Sequence, residues 1–257
     1  MKFAQLHQQK EPLLLANVWD AASARAAEAA GYAALGTSSA AIADLLGYAD
    51  GEGVSFPELK ALVARLRSVS DLPLTVDVEA GYGATPEAVV ANLRELAALG
   101  VAGVNLEDSV VRDGQRTLVD AETFSRRLHD INTGLLASGV KLFLNVRTDT
   151  FLLGVAHARE ETLARGRRYA ESGANGLFVP CVTDEADIAA IVDGISLPLN
   201  VMCMPNLPSF ERLAALGVKR VSMGNFLHQR ALQALQQLFI DVRANQSFGP
   251  VFEHASH

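Results

Sequence analysis

Leu72-Pro-Leu-Thr-Val-Asp-Val-Glu-Ala-Gly-Tyr-Gly83 runs from an apolar segment straight into a polar, glycine-bracketed end. Leu72 to Val78 reads as a buried strand, too short for a helix and rich in residues that fill a sheet. It closes on two carboxylates two positions apart, Asp77 and Glu79, with Tyr82 held between Gly81 and Gly83. Residues i and i+2 of a strand share a face, so both acids are expected to project into one space. Burying two like charges demands a proton, an arginine or a divalent cation. Magnesium, which keeps several waters beside one or two carboxylates, is the simplest answer. The competing reading makes Asp77 a turn cap and Glu79 a solvated loop residue.

Outward from this stretch, Val/Leu/Ile-rich runs alternate with amphipathic segments, the pattern of βα units on a parallel sheet. There are eight runs: Leu13 to Val18, Ala33 to Ser38, Leu72 to Glu79, Gly103 to Glu107, Leu142 to Arg147, Gly176 to Val182, Pro198 to Met204 and Arg220 to Met223. Helices are expected between them, most ending at a glycine such as Gly31, Gly100, Gly139, Gly173 or Gly217. Eight such units predict a (β/α)8 barrel, with residues 1–257 as one domain. A doubly wound open sheet is the structural alternative. Two connections, Ser39 to Ser55 and Asp108 to Asp120, are long, follow strands and so belong on the catalytic face.

Composition narrows the class. With 49% hydrophobic and 20% charged residues, the chain of 257 residues can bury a large core. A net charge of −7 with scattered basic residues argues against a nucleic-acid partner. The densest basic cluster, Arg165, Arg167 and Arg168, reads as a solvated helix surface. No apolar run approaches the ~20 residues of a membrane span, and Met1 to Pro12 lacks a signal-peptide core, so a cytoplasmic protein is expected. Cys181 and Cys203 lie in apolar segments without metal-site spacing and read as small buried hydrophobes.

In such a barrel the active site forms where strands end. The first five strands end in polar groups: Asn17-Val-Trp19-Asp20, Gly36-Thr-Ser38-Ser39, Asp77-Val-Glu79, Asn105-Leu-Glu107-Asp108 and Asn145-Val-Arg147-Thr-Asp149. The last three end at Val179-Pro-Cys181, Met202-Cys-Met204 and Met223-Gly-Asn225. Asp77, Glu79 and Glu107 thus come from adjacent strands, with Asp50 in the second loop able to fold over them. Four acids faced by Arg147 make a candidate cation site beside an anionic substrate. The competing readings are capping by Glu107 and Asp108, an ion pair of Arg147 with Asp149 or Glu107, and Trp19 as a core filler.

These strand ends, with Thr37-Ser38 and Gly47 through Asp50, resemble the isocitrate lyase and phosphoenolpyruvate mutase superfamily in order and spacing from about residue 10 to 240. The resemblance implies a (β/α)8 barrel whose last helix is exchanged with a neighbouring subunit, giving a homodimer or homotetramer. It implies magnesium, or manganese in its place, at Asp77, Glu79 and Glu107, with Asp50 nearby. It also implies a small 2-oxo or 2-hydroxy carboxylate substrate bound by Trp19, Asp77, Arg147 and the Ser38, Ser39 and Ala40 backbone. Asp50, Glu107 and Arg147 are the expected catalytic residues.

Departures from the family pattern bear on the reaction. Glu79 stands where mutases commonly carry aspartate, and Ser39 replaces a usual glycine. Asp108-Ser-Val-Val-Arg-Asp-Gly-Gln-Arg116 lacks the Lys-Lys-Cys-Gly lid of the lyase branch, although Arg112 and Arg116 could close over an anion. Pro180 stands where mutases tend to have histidine, and Asn200-Val-Met202 replaces the Asn-x-Thr that holds a distal carboxylate. The expected activity is magnesium-dependent, lyase-type cleavage of a bond alpha to the carbonyl of an oxaloacetate-like substrate, through a metal-stabilised enolate. The alternatives are a carbon-phosphorus enzyme, such as a phosphonopyruvate hydrolase or phosphonomutase, and a catalytically inactive oxo-acid-binding barrel.

Overall fold

The strands follow one another as β1 (Leu13–Leu14), β2 (Ala16–Val18), β3 (Leu35–Thr37), β4 (Leu74–Asp77), β5 (Gly103–Glu107), β6 (Ser109–Arg112), β7 (Gln115–Leu118), β8 (Phe143–Arg147), β9 (Gly176–Phe178), β10 (Leu199–Met202) and β11 (Arg220–Ser222). The computed structural model that gives these elements describes residues 3–51 and 53–252. Residues 1, 2, 52 and 253–257 of the span expected to form one domain lie outside the described residues.

Nine strands form one all-parallel sheet in the order β1-β11-β10-β9-β8-β5-β4-β3-β2. The sheet closes because β1 and β2 are one run interrupted only at Leu15. Leu13 and Leu15 donate to Lys219 and Val221 on one side, and Ala16 donates to Ala34 on the other. That closure decides between the barrel and the open sheet. All eight expected runs appear as barrel strands.

Helices alternate with the strands: α1 (Phe3–Leu6), α2 (Ala21–Ala29), α3 (Ser39–Leu46), α4 (Phe56–Arg67), α5 (Pro86–Ala98), α6 (Ala121–Ala137), α7 (Ala158–Glu171), α8 (Glu185–Gly194), α9 (Phe210–Ala215), α10 (Phe226–Asn245) and α11 (Gly249–Phe252). Their starts are written in the sequence. The Asp20 carboxylate accepts from the Ser23 backbone at 2.7 Å, and the Thr85 side chain caps α5 with Pro86 at its first position. Their apolar faces bury Val63, Leu93, Leu128 and Ile188 against the sheet, each worth about 1.5–3 kcal/mol relative to exposure.

Two details differ from expectation. The connection after β3 is not all loop: Ser38 caps α3 through the Ala41 backbone, and Gly47 ends it in the left-handed conformation. The connection after β5 contains the antiparallel β6–β7 hairpin. One barrel mouth is plugged by α1, where Phe3 and His7 pack on Phe143, the His7 ring stacking at 4.2 Å. The opposite mouth, at the strand ends, is open.

Candidate active site

Strand termination places the acids. Asp77 is the last residue of β4 and Glu107 the last of β5, aligned beside Arg147 at the end of β8. All three side chains are largely shielded from solvent. Expected alternation does not carry through to Glu79, because β4 stops at Asp77 and Glu79 turns into the left-handed region (φ 49°). The two acids therefore face different spaces. Asp77 lines a cavity of about 200 Å³, together with Asn17, Ser38, Ser39, Ala40, Asp50, Arg116 and Arg147. Glu79 lines a second one of about 50 Å³ with Glu107, Ser109 and Arg116, and accepts from the Tyr82 hydroxyl at 2.9 Å.

Arg147 anchors the charge network. Its Nη1 donates to Glu107 Oε1 at 2.6 Å, and its Nε and Nη2 donate to the Asp149 carboxylate at 2.6 and 3.1 Å. A guanidinium has five N–H donors, so two remain for the cavity. Burial works against the Arg147 charge, but Glu107, Asp149 and Asp77 more than offset it and hold the group protonated. Burial pushes the Glu107 carboxyl up to about 8; Arg147 opposes this, and Asp77 and Asp149 add to it. The short contacts to both arginines favour the ionised pair.

Asp77 is less well compensated. Its Oδ2 accepts from the Ser39 hydroxyl at 2.8 Å and weakly from the Ser39 backbone at 3.4 Å. Its Oδ1 is buried without a hydrogen-bond partner among the described residues. Burial raises its pKa, with Arg147 and Ser39 pulling the other way. Because α3 begins at Ser39, the anion seat expected from the Ser38, Ser39 and Ala40 backbone coincides with a helix N-terminus, where unpaired N–H groups and the helix dipole favour negative charge.

Arg116 reaches into the site from β7. Its Nη1 donates to Glu107 Oε2, and to Ser109 Oγ at 3.0 Å, while Nη2 donates to Asp50 Oδ2 at 3.1 Å. Arg112, its partner in the sequence-based lid, is exposed at the hairpin tip, away from the cavity. Trp19 also lies outside the cavity lining. It packs edge-on against His228 at 4.8 Å and lines a separate apolar groove with Ala22, Ala26, Tyr32 and Leu227. Trp19 thus sits on this groove and not on the cavity of Asp77, one residue past the end of its strand.

Three other expectations need correction. Arg165 is buried, not solvated: its Nη1 pairs with Asp108 at 3.0 Å and Nε with Glu161 at 2.7 Å. Asp108 in turn accepts from Thr148 and Tyr169, both at 2.7 Å, so it braces the loops and does not face the cavity. Cys181 is half-buried and Cys203 exposed, and both are free thiols; apolar neighbours in sequence do not guarantee burial just past a strand end.

Sequence reasoning missed Arg220. It starts β11 and is buried inside the barrel, its Nη2 donating to Asn105 Oδ1 at 3.3 Å. Burial lowers its pKa to about 9, with Asp77 opposing. Around it, Asn145 donates to Asn105 at 2.9 Å and to Asn200 at 3.0 Å, forming a polar interior layer. The inward period-two positions of β5, β8 and β10 carried the only signal for it.

Comparison with known proteins fixes the lineage. A model of the phosphoenolpyruvate phosphomutase family matches residues 3–243. The chain belongs to this family. Its fellow member in sequence, the oxaloacetate decarboxylase of Pseudomonas entomophila strain L48, is 31% identical over 230 residues, covering 85% of this chain and 76% of that protein. Among solved structures, a Burkholderia cenocepacia J2315 protein assigned as a phosphonomutase superposes with a TM-score of 0.86 at 38% identity, covering 92% of this chain and 97% of the other. A second protein of that organism, assigned as a lyase or mutase, gives 0.90 at 30% identity, covering 98% and 91%. Membership in the phosphoenolpyruvate phosphomutase family agrees with the closed barrel and with the resemblance carried by the strand ends.

Proposed function

We propose that this family member is a divalent-metal-dependent lyase that breaks the C3–C4 bond, at the carbon alpha to the carbonyl, of a small, oxaloacetate-like 2-oxo acid. The observation that carries the reading is the buried Asp77 Oδ1, without a hydrogen-bond partner among the described residues, at the wall of a cavity of about 200 Å³. Five carboxylates, those of Asp50, Asp77, Glu79, Glu107 and Asp149, gather around two guanidinium groups, Arg116 and Arg147. This excess of negative charge fits a cation. Among the described residues no three His, Cys, Asp or Glu side chains converge on one point; a hard ion would be held directly by Asp77 alone, with Glu79 and Glu107, which border the neighbouring cavity, acting through water. When bound, magnesium or manganese supplies Lewis acidity that stabilises negative charge developing on the 2-oxo oxygen.

The chain's own groups do the remaining work. The two spare Arg147 N–H groups and the N-terminus of α3 hold the carboxylate next to the carbonyl. Phe178, Pro180, Met202 and Leu152 give the same cavity an apolar side, Phe178 lying with Arg147 Cζ 5.9 Å from its ring centroid. A leaving group on that apolar surface is favoured as neutral carbon dioxide over a carboxylate. Asp50, near the mouth, moves a proton at carbon 3 after cleavage. The decarboxylase name of the Pseudomonas relative supports this choice, while the name of the first Burkholderia protein supports carbon-phosphorus chemistry as the second reading.

Subunit association belongs to the same proposal. Helix α10 buries only His228, while Leu232, Leu235, Phe239 and Ile240 are exposed along it. The groove lined by Trp19, Ala22, Ala26 and Ala30 is apolar and small-residue lined, which suits the α10 of a second copy and gives a dimer or tetramer by exchange. No helix among the described residues is long and apolar enough to cross a membrane; a cytoplasmic site of action, with residues 1–257 as one domain, completes the reading.

The test is a panel of 2-oxo acids assayed with and without Mg²⁺ or Mn²⁺. Oxaloacetate should yield carbon dioxide and pyruvate only with metal, and Asp77→Ala should abolish turnover. Phosphate release from phosphonopyruvate instead would select the second reading, and calorimetric binding of oxalate without any turnover would leave an inactive oxo-acid-binding barrel.

A further inference from the structure

Arg116 occupies the ground where the acids of the two cavities meet. Its Nη1 touches Glu107, sits 3.0 Å from Ser109 Oγ and 3.4 Å from Asp149 Oδ2, and its Nη2 lies 3.1 Å from Asp50 Oδ2. It borders both the 200 Å³ cavity of Asp77 and the 50 Å³ cavity of Glu79. Its side chain is only 14% exposed although its strand belongs to a surface hairpin.

We propose that Arg116 competes with the divalent ion for Glu107 and Asp50, so that ion binding and withdrawal of the β6–β7 hairpin are one coupled event. The inference rests on the metal reading proposed above. An ion on Asp77 would reach Glu107 and Asp50 through its water shell, and Arg116 N–H groups already hold Glu107 Oε2 and Asp50 Oδ2; two cations claiming those oxygens from a few ångströms apart repel each other. One must leave, and the mounting of the two arginines decides which. Arg147 ends a barrel strand paired on both sides, and its carboxylate partners Glu107 and Asp149 are buried beside it. Arg116 rides on a two-stranded hairpin that pairs only with itself and turns at the exposed Asp113-Gly114. Such ribbons are marginal alone and open at low cost.

Competition makes a prediction that a supporting role would not. Removing an arginine that merely orients Glu107 would weaken metal binding, whereas removing a competitor tightens it. Free Mn²⁺ is followed by electron paramagnetic resonance during titration of the full chain. Arg116→Met should bind Mn²⁺ about tenfold more tightly than the wild type, the effect expected for losing charge-assisted contacts that the ion must break. Arg116→Lys, which keeps a charge but not the fork, should fall between. Saturating Mn²⁺ should also speed trypsin cleavage after the exposed Arg112 in the wild type, and leave it unchanged in Arg116→Met. If the wild type binds Mn²⁺ and Arg116→Met binds equally or more weakly, the competition is refuted while the metal site stands. If neither protein binds Mn²⁺, the metal reading falls and takes this inference with it.

Discussion

Asp149→Asn tests how Arg147, the proposed substrate arginine, is held. The Asp149 carboxylate receives Arg147 Nε at 2.6 Å and Nη2 at 3.1 Å, Ser109 Oγ at 2.5 Å and Arg116 Nη1 at 3.4 Å. An amide keeps one oxygen, so whichever way it is turned, one face presents N–H to N–H or O–H donors. If the oxygen stays on Nε, the NH₂ confronts Nη2 and Arg116 and breaks the bidentate fork. Breaking a buried ion pair costs about 3–5 kcal/mol. Arg147 keeps its 2.6 Å contact to Glu107, which argues for the lower end, about 3 kcal/mol. For a chain of this size that is a melting temperature lowered by roughly 6–12 °C. Activity should fall through KM for the 2-oxo acid, because Arg147 still carries charge but is no longer aimed. The assays are thermal or urea unfolding and steady-state kinetics on oxaloacetate. A variant with unchanged unfolding and unchanged KM would refute the claim that Asp149 positions Arg147.

Two further outcomes follow from groups outside the cavity. Burial lowers the His7 pKa from 6.5 to about 4, with Arg220 adding to the effect and the hydrogen bond to the Phe3 carbonyl opposing it. The unfolded chain therefore takes up the proton first, and stability is lost as pH falls from about 6.5 to about 4, by up to about 3 kcal/mol. His7→Phe, which keeps the stack on Phe143, should flatten that acid limb in urea midpoints measured against pH. Helix α10 should hold subunits together: light scattering should give a dimer or tetramer, and Leu235→Glu with Phe239→Glu should release smaller species that are still folded by circular dichroism. A wild-type monomer would sink the exchange.

The barrel was legible because its strands are buried on both faces, so their Val/Leu/Ile runs stand out with no amphipathic ambiguity. The acids at Asp77 and Glu107 and the arginine at Arg147 were legible for the related reason that polar groups at the ends of such runs have nowhere else to point. Helix α3 was hidden in the connection after β3, since Ser39–Leu46 starts immediately after the strand, with only Ser38 as a capping signal. Asp113-Gly114 is a hairpin turn pair, a signal for the β6–β7 ribbon that the lid reading of the same residues passed over. Alternation misplaced Glu79, because the left-handed turn at that residue is a tertiary choice that period two cannot show. Arg165, read as part of a basic helix surface, and Arg220, given no role at the start of its strand, become interior charges only once a buried aspartate and a closed barrel surround them.

A crystal grown with Mn²⁺ and oxalate would show whether Asp77 holds a metal, because anomalous scattering locates the ion and oxalate mimics the pyruvate enolate. The ion should be coordinated by Asp77 and both oxalate carboxylates, with Arg147 and the N-terminus of α3 on the oxalate and Arg116 swung away from Glu107. An ion bound elsewhere, or oxalate seated without any ion while Asp77 stays unpartnered, would contradict the metal reading.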